Sequence, residues 1–505
     1  MNDKLSKKYG LFTAICMVVG TVIGSGVFFK AQDVLNKTNG DVGLGILAWV
    51  IGGAVMLFCI LAFANMATKY EKVNGIVDYS EALVGPKYGY FIGWFMTTIY
   101  YPAMTGTLAW VSARYFIVFV KGAGLGGELL LPIEQGGALL GPETMVIAMF
   151  FLVGSFVINA ISPKVAGYFQ VSTTVIKMIP LLLVAVGGVI FGLVSKDGML
   201  IENFKTVTET VKDDVTGNPL FAAVVSTAFA YEGWIIATSI NAELKNAKKN
   251  LPIALLAGGA IIAFIYISYY IGVAGGADKK DLMSTGATVA FTNMFGNAMG
   301  SLLDVFVVVS CLGTLNGLML AVSRGMYSLA ARGEGPAPHV FKEVDARTNM
   351  PTNSAIVGLL IAASWMLYFV MANVSADPTG WLGYFAFDSS ELPIVTMYPL
   401  YIPIFVMFMV KSKGEGMFKR FIVPVLASAA SAFMALAAIY SHGIQPYLAA
   451  KAEGKFSCPV LFYLVVFGAI MGIGMLCNVK NKGEEKPISF KSATKKQRRY
   501  GKKKK

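Results

Sequence analysis

Twelve apolar stretches of about 20 residues or more run along this chain, each long enough for a helix to cross roughly 30 Å of hydrocarbon. They fall near residues 10–35, 43–68, 88–120, 143–163, 166–195, 218–242, 252–275, 288–330, 353–374, 380–410, 420–441 and 457–478. The 505-residue chain is 56% hydrophobic and only 14% charged, with a mean hydropathy of +0.64, too apolar for a soluble protein of this size. In hydrocarbon the backbone must bond to itself, so the reading is an all-α membrane protein with twelve transmembrane helices. The first apolar run is longer than a signal peptide's core and has no small-residue cleavage site after it, so it is read as a retained first helix.

The charges orient these spans. With both termini cytoplasmic, about 30 of the 42 Lys and Arg fall on the inside and about 10 outside, the positive-inside asymmetry. Lys4, Lys7 and Lys8, then Lys245, Lys248 and Lys249, then Lys411, Lys413, Lys419 and Arg420, and the tail from Lys495 to Lys505 are the main inside clusters. The basic tail carries one tyrosine and no folded reader, which favours topology control or anionic-lipid contact over nucleic acid. The five cysteines (Cys16, Cys59, Cys311, Cys458 and Cys477) show no paired spacing, which argues against a disulfide framework or a zinc site.

Two spans are interrupted. The first carries Gly20-Thr21-Val22-Ile23-Gly24-Ser25-Gly26-Val27-Phe28, and the sixth carries Phe229-Ala230-Tyr231-Glu232-Gly233-Trp234. A helix-interior glycine costs about 1 kcal/mol relative to alanine, so Gly24-Ser25-Gly26 is where a helix is expected to open. Open backbone at membrane depth belongs where it is buried in protein or lines a cavity, and its unpaired amides hold a carboxylate without a fixed positive charge. Close helix packing through Gly20 and Gly24 is the rival reading of the same glycines. Carbonyls freed around Phe229, Ala230 and Glu232 suit an ammonium group, with Phe229 or Tyr231 covering it, although aromatic residues there also pack. Interruptions in the first helix of each five point to a five-plus-five inverted repeat, completed by two C-terminal helices. The divisions are residues 1–9 (cytoplasmic N-tail), 10–410 (ten-helix transport core), 411–478 (helices 11 and 12) and 479–505 (basic cytoplasmic C-tail).

Buried ionisable residues are further candidates, because such groups are costly inside a membrane. Lys177 lies eleven residues into helix 5, roughly 16 Å deep at about 1.5 Å per residue, where its ammonium must find carbonyls or a carboxylate. Asp304 and the pair Asp388 and Glu391, spaced i, i+3 on one face of helix 10, either bind protons or pair internally. No Walker loop or dinucleotide fingerprint occurs, so no cofactor is expected. The two histidines, His339 and His442, are expected in loops with no metal-ligand or catalytic spacing, which argues against an enzyme.

Together Gly24-Ser25-Gly26-Val27-Phe28, Lys177, Phe229-Ala230-Tyr231-Glu232-Gly233-Trp234 and Ser310-Cys311-Leu312-Gly313-Thr314-Leu315-Asn316-Gly317, leading to Ser323-Arg324, resemble the amino acid–polyamine–organocation superfamily. Within it, the chain is similar to bacterial amino acid permeases of the L-type and serine/threonine-exchanger kinds. The resemblance covers roughly residues 9–478 and implies the twelve-helix fold first described for a leucine transporter. It implies a substrate carboxylate at the amides of Ser25 and Gly26, an ammonium at the carbonyls of Val22, Phe229, Ala230 and Glu232, and Phe229 as gate. Lys177 would replace a bound sodium ion, reaching helix 1 and the hydroxyl near Ser310.

Many L-type relatives have glycine where this chain has Glu232. A carboxylate facing the pocket would suit a small polar or cationic side chain, and one paired elsewhere leaves neutral substrates. The expectation is sodium-independent secondary transport of small or medium neutral amino acids across the cell membrane, by exchange, with proton symport and a non-transporting sensor as alternatives. No cysteine lies in the loop between helices 3 and 4, where the resemblance to heteromeric relatives implies that a disulfide-linked accessory subunit would attach, so a stand-alone protein is expected.

Overall fold

The computed structural model describes residues 10–24, 26–69, 75–125, 128, 133–135, 138–161, 163–205, 218–236, 238, 244–345, 350–374 and 385–480. Among these the chain is helical apart from turns and one antiparallel ladder, β1 (Ile133–Gln135) with β2 (Ala138–Leu140). The first apolar stretch is split into α1 (Leu11–Val22) and α2 (Gly26–Lys37), bent by 45°. Asp41 then starts α3 (Val42–Ala67) by accepting a hydrogen bond from the Leu44 amide at 2.8 Å. After α4 (Ile76–Leu83), α5 (Pro86–Phe95) and α6 (Tyr101–Gly122) form one 37-residue span through a π-helical turn at Met96–Tyr100. Pro102 brings no amide to the ladder there, which is why the turn widens.

The chain continues through α7 (Glu143–Ile161), α8 (Pro163–Val194), α9 (Leu200–Lys205) and α10 (Pro219–Tyr231). Next come α11 (Ala247–Gly276), α12 (Lys279–Thr285), α13 (Ala287–Phe295), α14 (Asn297–Ala330) and α15 (Pro338–Phe341). The last elements are α16 (Thr352–Phe369), α17 (Leu392–Val395), α18 (Met397–Lys411), α19 (Val423–Ile439), α20 (Gln445–Ala452) and α21 (Pro459–Lys480).

Among the described residues, 10 helices are long and apolar enough to cross a membrane, and the bent α1–α2 pair makes 11. The sixth apolar stretch contributes the 13-residue α10, because its helix stops before Glu232. Two further expectations are corrected. The eighth stretch is divided at Gly296, whose φ of 88° ends α13 and starts α14. In the tenth, the helix begins only at Leu392, so Asp388 and Glu391 do not share a helix face. Asp388 instead caps the turn, accepting from the Ser390 and Glu391 amides at 2.7 and 3.0 Å.

Lipid supplies no hydrophobic drive between helices, so these pack through close backbone approach. A Cβ on Gly188 of α8 would strike the Gly272 carbonyl of α11, and one on Gly272 would strike the Val184 carbonyl. Around this pair α11 also packs on α1 and α3, α14 packs on α6, α8 and α16, and α10 packs on α2 and α3.

On the side of the fold carrying the end of α14, Arg332 bonds Asp78 and, at 2.9 Å, Glu81 of α4. Glu334 beside it keeps a buried Oε2 with no hydrogen-bond partner among the described residues. Burial pushes its carboxyl up to about 7, only partly opposed by Arg332. Since its folded-state value lies above the ordinary carboxylate range, stability is lost as pH rises from about 4.5 to about 7. Glu334→Gln is therefore expected to raise the melting temperature in detergent at pH 8 and to change it little at pH 4.5.

Candidate functional site

Helix α1 ends at Val22, Ile23 is extended with φ −68° and ψ 101°, and α2 begins at Gly26. Ser25 lies outside the described residues. The last carbonyls of α1 have lost their intrahelical partners and carry the negative end of its dipole. The Gly20 carbonyl accepts from Lys177 Nζ of α8 at 2.6 Å, and the Val22 carbonyl accepts from the Tyr266 hydroxyl of α11 at 3.1 Å. Lys177 is wholly buried, so its ammonium is placed where the helix end most favours a cation.

The second break mirrors the first. α10 ends at Tyr231, Glu232 is extended with φ −81° and ψ 162°, and Gly233 has φ 107°. Only glycine adopts that φ readily, and a Cβ there would also lie 2.6 Å from the Thr21 carbonyl. A Cβ on Gly26 would lie 2.5 Å from Ala230 Cα, and one on Gly24 would lie 2.7 Å from Thr314 Oγ1 of α14. The two breaks therefore touch, and the amide end of α2 meets the carbonyl end of α10 under a wall from α14. That juxtaposition offers donors and acceptors side by side with no fixed charge of their own.

Phe229 is buried, edge-on to Phe29 in the first half of α2 at 6.3 Å between ring centroids. Lys30 Nζ lies 5.4 Å from the Phe229 centroid. The Glu232 carboxylate accepts hydrogen bonds from the Tyr100 hydroxyl, on the π-helical turn, and from the Gly233 amide. Sequence reasoning had no signal for this pairing, because Tyr100 is 132 positions away. Ser310 is buried on α14, and its hydroxyl has no hydrogen-bond partner among the described residues. The bond between Lys177 and that hydroxyl implied by the resemblance is thus not formed here, whereas its reach to helix 1 is. Asp304, also buried, accepts from Thr288 Oγ1 at 3.1 Å, at a distance from the breaks along α14.

His442 departs from its expected loop. It lies in a π-helical turn, Tyr440–Ile444, and its Nε2 is 3.0 Å from Glu391. His339 sits in α15. Lys30 and Lys37 also reach Glu391, a buried cluster that no local spacing announces.

The family model described as "Amino acid permease" matches residues 9–469. The chain belongs to the amino acid permease family. This permease is 30% identical to the serine/threonine exchanger SteT of Bacillus subtilis (strain 168) over 443 residues, covering 86% of this chain and 91% of that one. It is 24% identical to the human b(0,+)-type amino acid transporter 1, covering 88% of this chain and 85% of that one, and 26% identical to the human cystine/glutamate transporter, covering 70% and 66%. The family and these relatives are transporters and not enzymes, so the permease is a multi-pass membrane protein of amino acid transport.

Proposed function

We propose that this permease is a sodium-independent secondary transporter that exchanges small or medium neutral amino acids by alternating access around one zwitterion held at the paired breaks. The observation that carries this reading is the contact of Gly26 with Ala230, which sets the amide end of α2 beside the carbonyl end of α10. The substrate carboxylate meets the amides of Gly26 and Ser25. Its ammonium meets carbonyls of Phe229, Ala230 and Glu232, and the Val22 carbonyl has a second lone pair beside its bond to Tyr266. Phe229 closes the site, and Lys177 supplies at Gly20 the positive charge that an ion would otherwise bring.

Twelve spans in a five-plus-five repeat with two added helices, both termini cytoplasmic in the cell membrane and no obligatory accessory subunit complete the proposal. Pairing of Glu232 with Tyr100 supports neutral side chains, as does the name of the serine/threonine exchanger. Glu232→Gln is accordingly expected to leave the order of preferred amino acids unchanged in a competition panel. A shift of that order toward or away from cationic amino acids would place the carboxylate in the pocket.

The coupling is tested in reconstituted vesicles. Uptake of labelled serine should rise at least severalfold when unlabelled serine is inside, with no change when sodium replaces choline. A requirement for a sodium gradient would overturn the role given to Lys177, and uptake driven by a pH gradient without internal substrate would favour symport.

A further inference from the structure

Six polar side chains outside the paired breaks converge near the end of α2. Wholly buried Glu391 is at their centre. Its Oε1 accepts from Lys30 Nζ at 2.6 Å, Lys37 Nζ at 3.1 Å and Ser226 Oγ at 2.8 Å, and its Oε2 faces Lys37 Nζ at 3.2 Å and His442 Nε2 at 3.0 Å. Asp33 completes the group, 3.3 Å from Lys30, 3.4 Å from Lys37 and 2.8 Å from Ser226 Oγ. One carboxylate thereby ties α2, α10, the start of α17 and the end of α19. Lys30 also lies against the Phe229 ring, so the cluster sits directly over the gate.

The charges of this cluster are balanced without the histidine, since two lysines face two carboxylates. Asp388 is occupied by the amides it caps, and Tyr440, on the same turn as His442, bonds the Asn218 amide. Histidine is the side chain whose ordinary titration falls near neutral pH. A proton on His442 meets Glu391 in direct contact, while the ammonium groups of Lys30 and Lys37 are already engaged with carboxylates.

We propose that His442 is the pH-sensing member of an outer latch, and that its protonation binds the end of α19 to Glu391 and holds α2 closed over Phe229. This inference rests on the alternating-access reading, in which α2 must swing from α17 for substrate to enter. Entry from the outer face then slows as the pH on that face falls. The pH on the inner face, where Glu334 lies, has no such effect.

The test is exchange in intact cells expressing the full chain and preloaded with unlabelled amino acid, with external pH varied and internal pH clamped. Entry of label should rise at least threefold between external pH 5.5 and 7.5. His442→Gln keeps a neutral donor to Glu391, so its entry rate should be flat with pH and equal to that of the parent at pH 7.5. Glu391→Gln removes the charge that His442 meets, and any transport it retains should be equally flat. A parental profile retained in His442→Gln, or an equal response to internal pH, would overturn the latch. Exchange that is flat with pH in the parent overturns the latch alone, and no exchange at any pH overturns the transport reading with it.

Discussion

Gly26→Ala is expected to lower amino acid exchange at least tenfold while leaving a folded, monodisperse protein. The new methyl group would lie 2.5 Å from Ala230 Cα, 3.1 Å from its Cβ and 3.3 Å from its amide nitrogen. Backbone cannot rotate away as a side-chain tip can, so α2 and α10 must separate. Overpacking of this kind costs about 1–3 kcal/mol, tolerable for a large membrane domain. The effect on function is greater, because the same displacement pulls the Gly26 amide off the substrate carboxylate. A hydrogen bond to a charged group contributes about 1.5–3 kcal/mol, which corresponds to roughly 10- to 100-fold in affinity. Gly472→Ala is the matched control, since no atom of the described residues lies within 4 Å of a Cβ there. Equal activity of the two variants would mean that the contact between the breaks is packing and nothing more.

Lys177→Met is expected to lower exchange as far as Lys177→Ala does, by about tenfold or more. Methionine preserves most of the apolar stem, so a packing role predicts that it is tolerated. The bond to Gly20 predicts otherwise. Without the ammonium, a buried carbonyl at the negative end of α1 is left unpaired, at about 1–3 kcal/mol, and the end of α1 loses its tie to α8. Near-parental exchange by Lys177→Met would show that the 2.6 Å bond does not organise the site.

Local chemistry made much of this legible in the sequence. The apolar stretches located nearly every span, because helix length against bilayer thickness is a property of a single segment. Both breaks were visible for the same reason: Gly24 and Gly26 on one side, and Glu232 with Gly233 on the other, disfavour helix wherever they stand. The depth of Lys177 required a partner, although its identity, Gly20, needed the fold. What the sequence withheld were pairings between distant segments. Lys30 and Lys37 are spaced with Asp33 as neighbours on one helix, yet the second carboxylate the two lysines serve is 361 positions from Lys30. Tyr266 contributes to helix 1 from an otherwise ordinary apolar span. The late start of α17 was hidden because Asp388 and Glu391, three positions apart, read as a helical i, i+3 pair, whereas Asp388 caps the turn before the helix.

If the paired breaks recognise the amino acid backbone itself, substrates altered at either end of that backbone should lose their hold. In reconstituted vesicles, the amino acid exchanged fastest should be challenged by its amide, which lacks the carboxylate, and by its N-acetyl form, which lacks the ammonium. Each should compete at least tenfold more weakly than the parent amino acid, the amide because it leaves the Gly26 end unmet and the N-acetyl form because it leaves the Phe229 and Ala230 carbonyls unmet. Competition by either derivative as strong as that of the parent would contradict recognition of the backbone at the breaks.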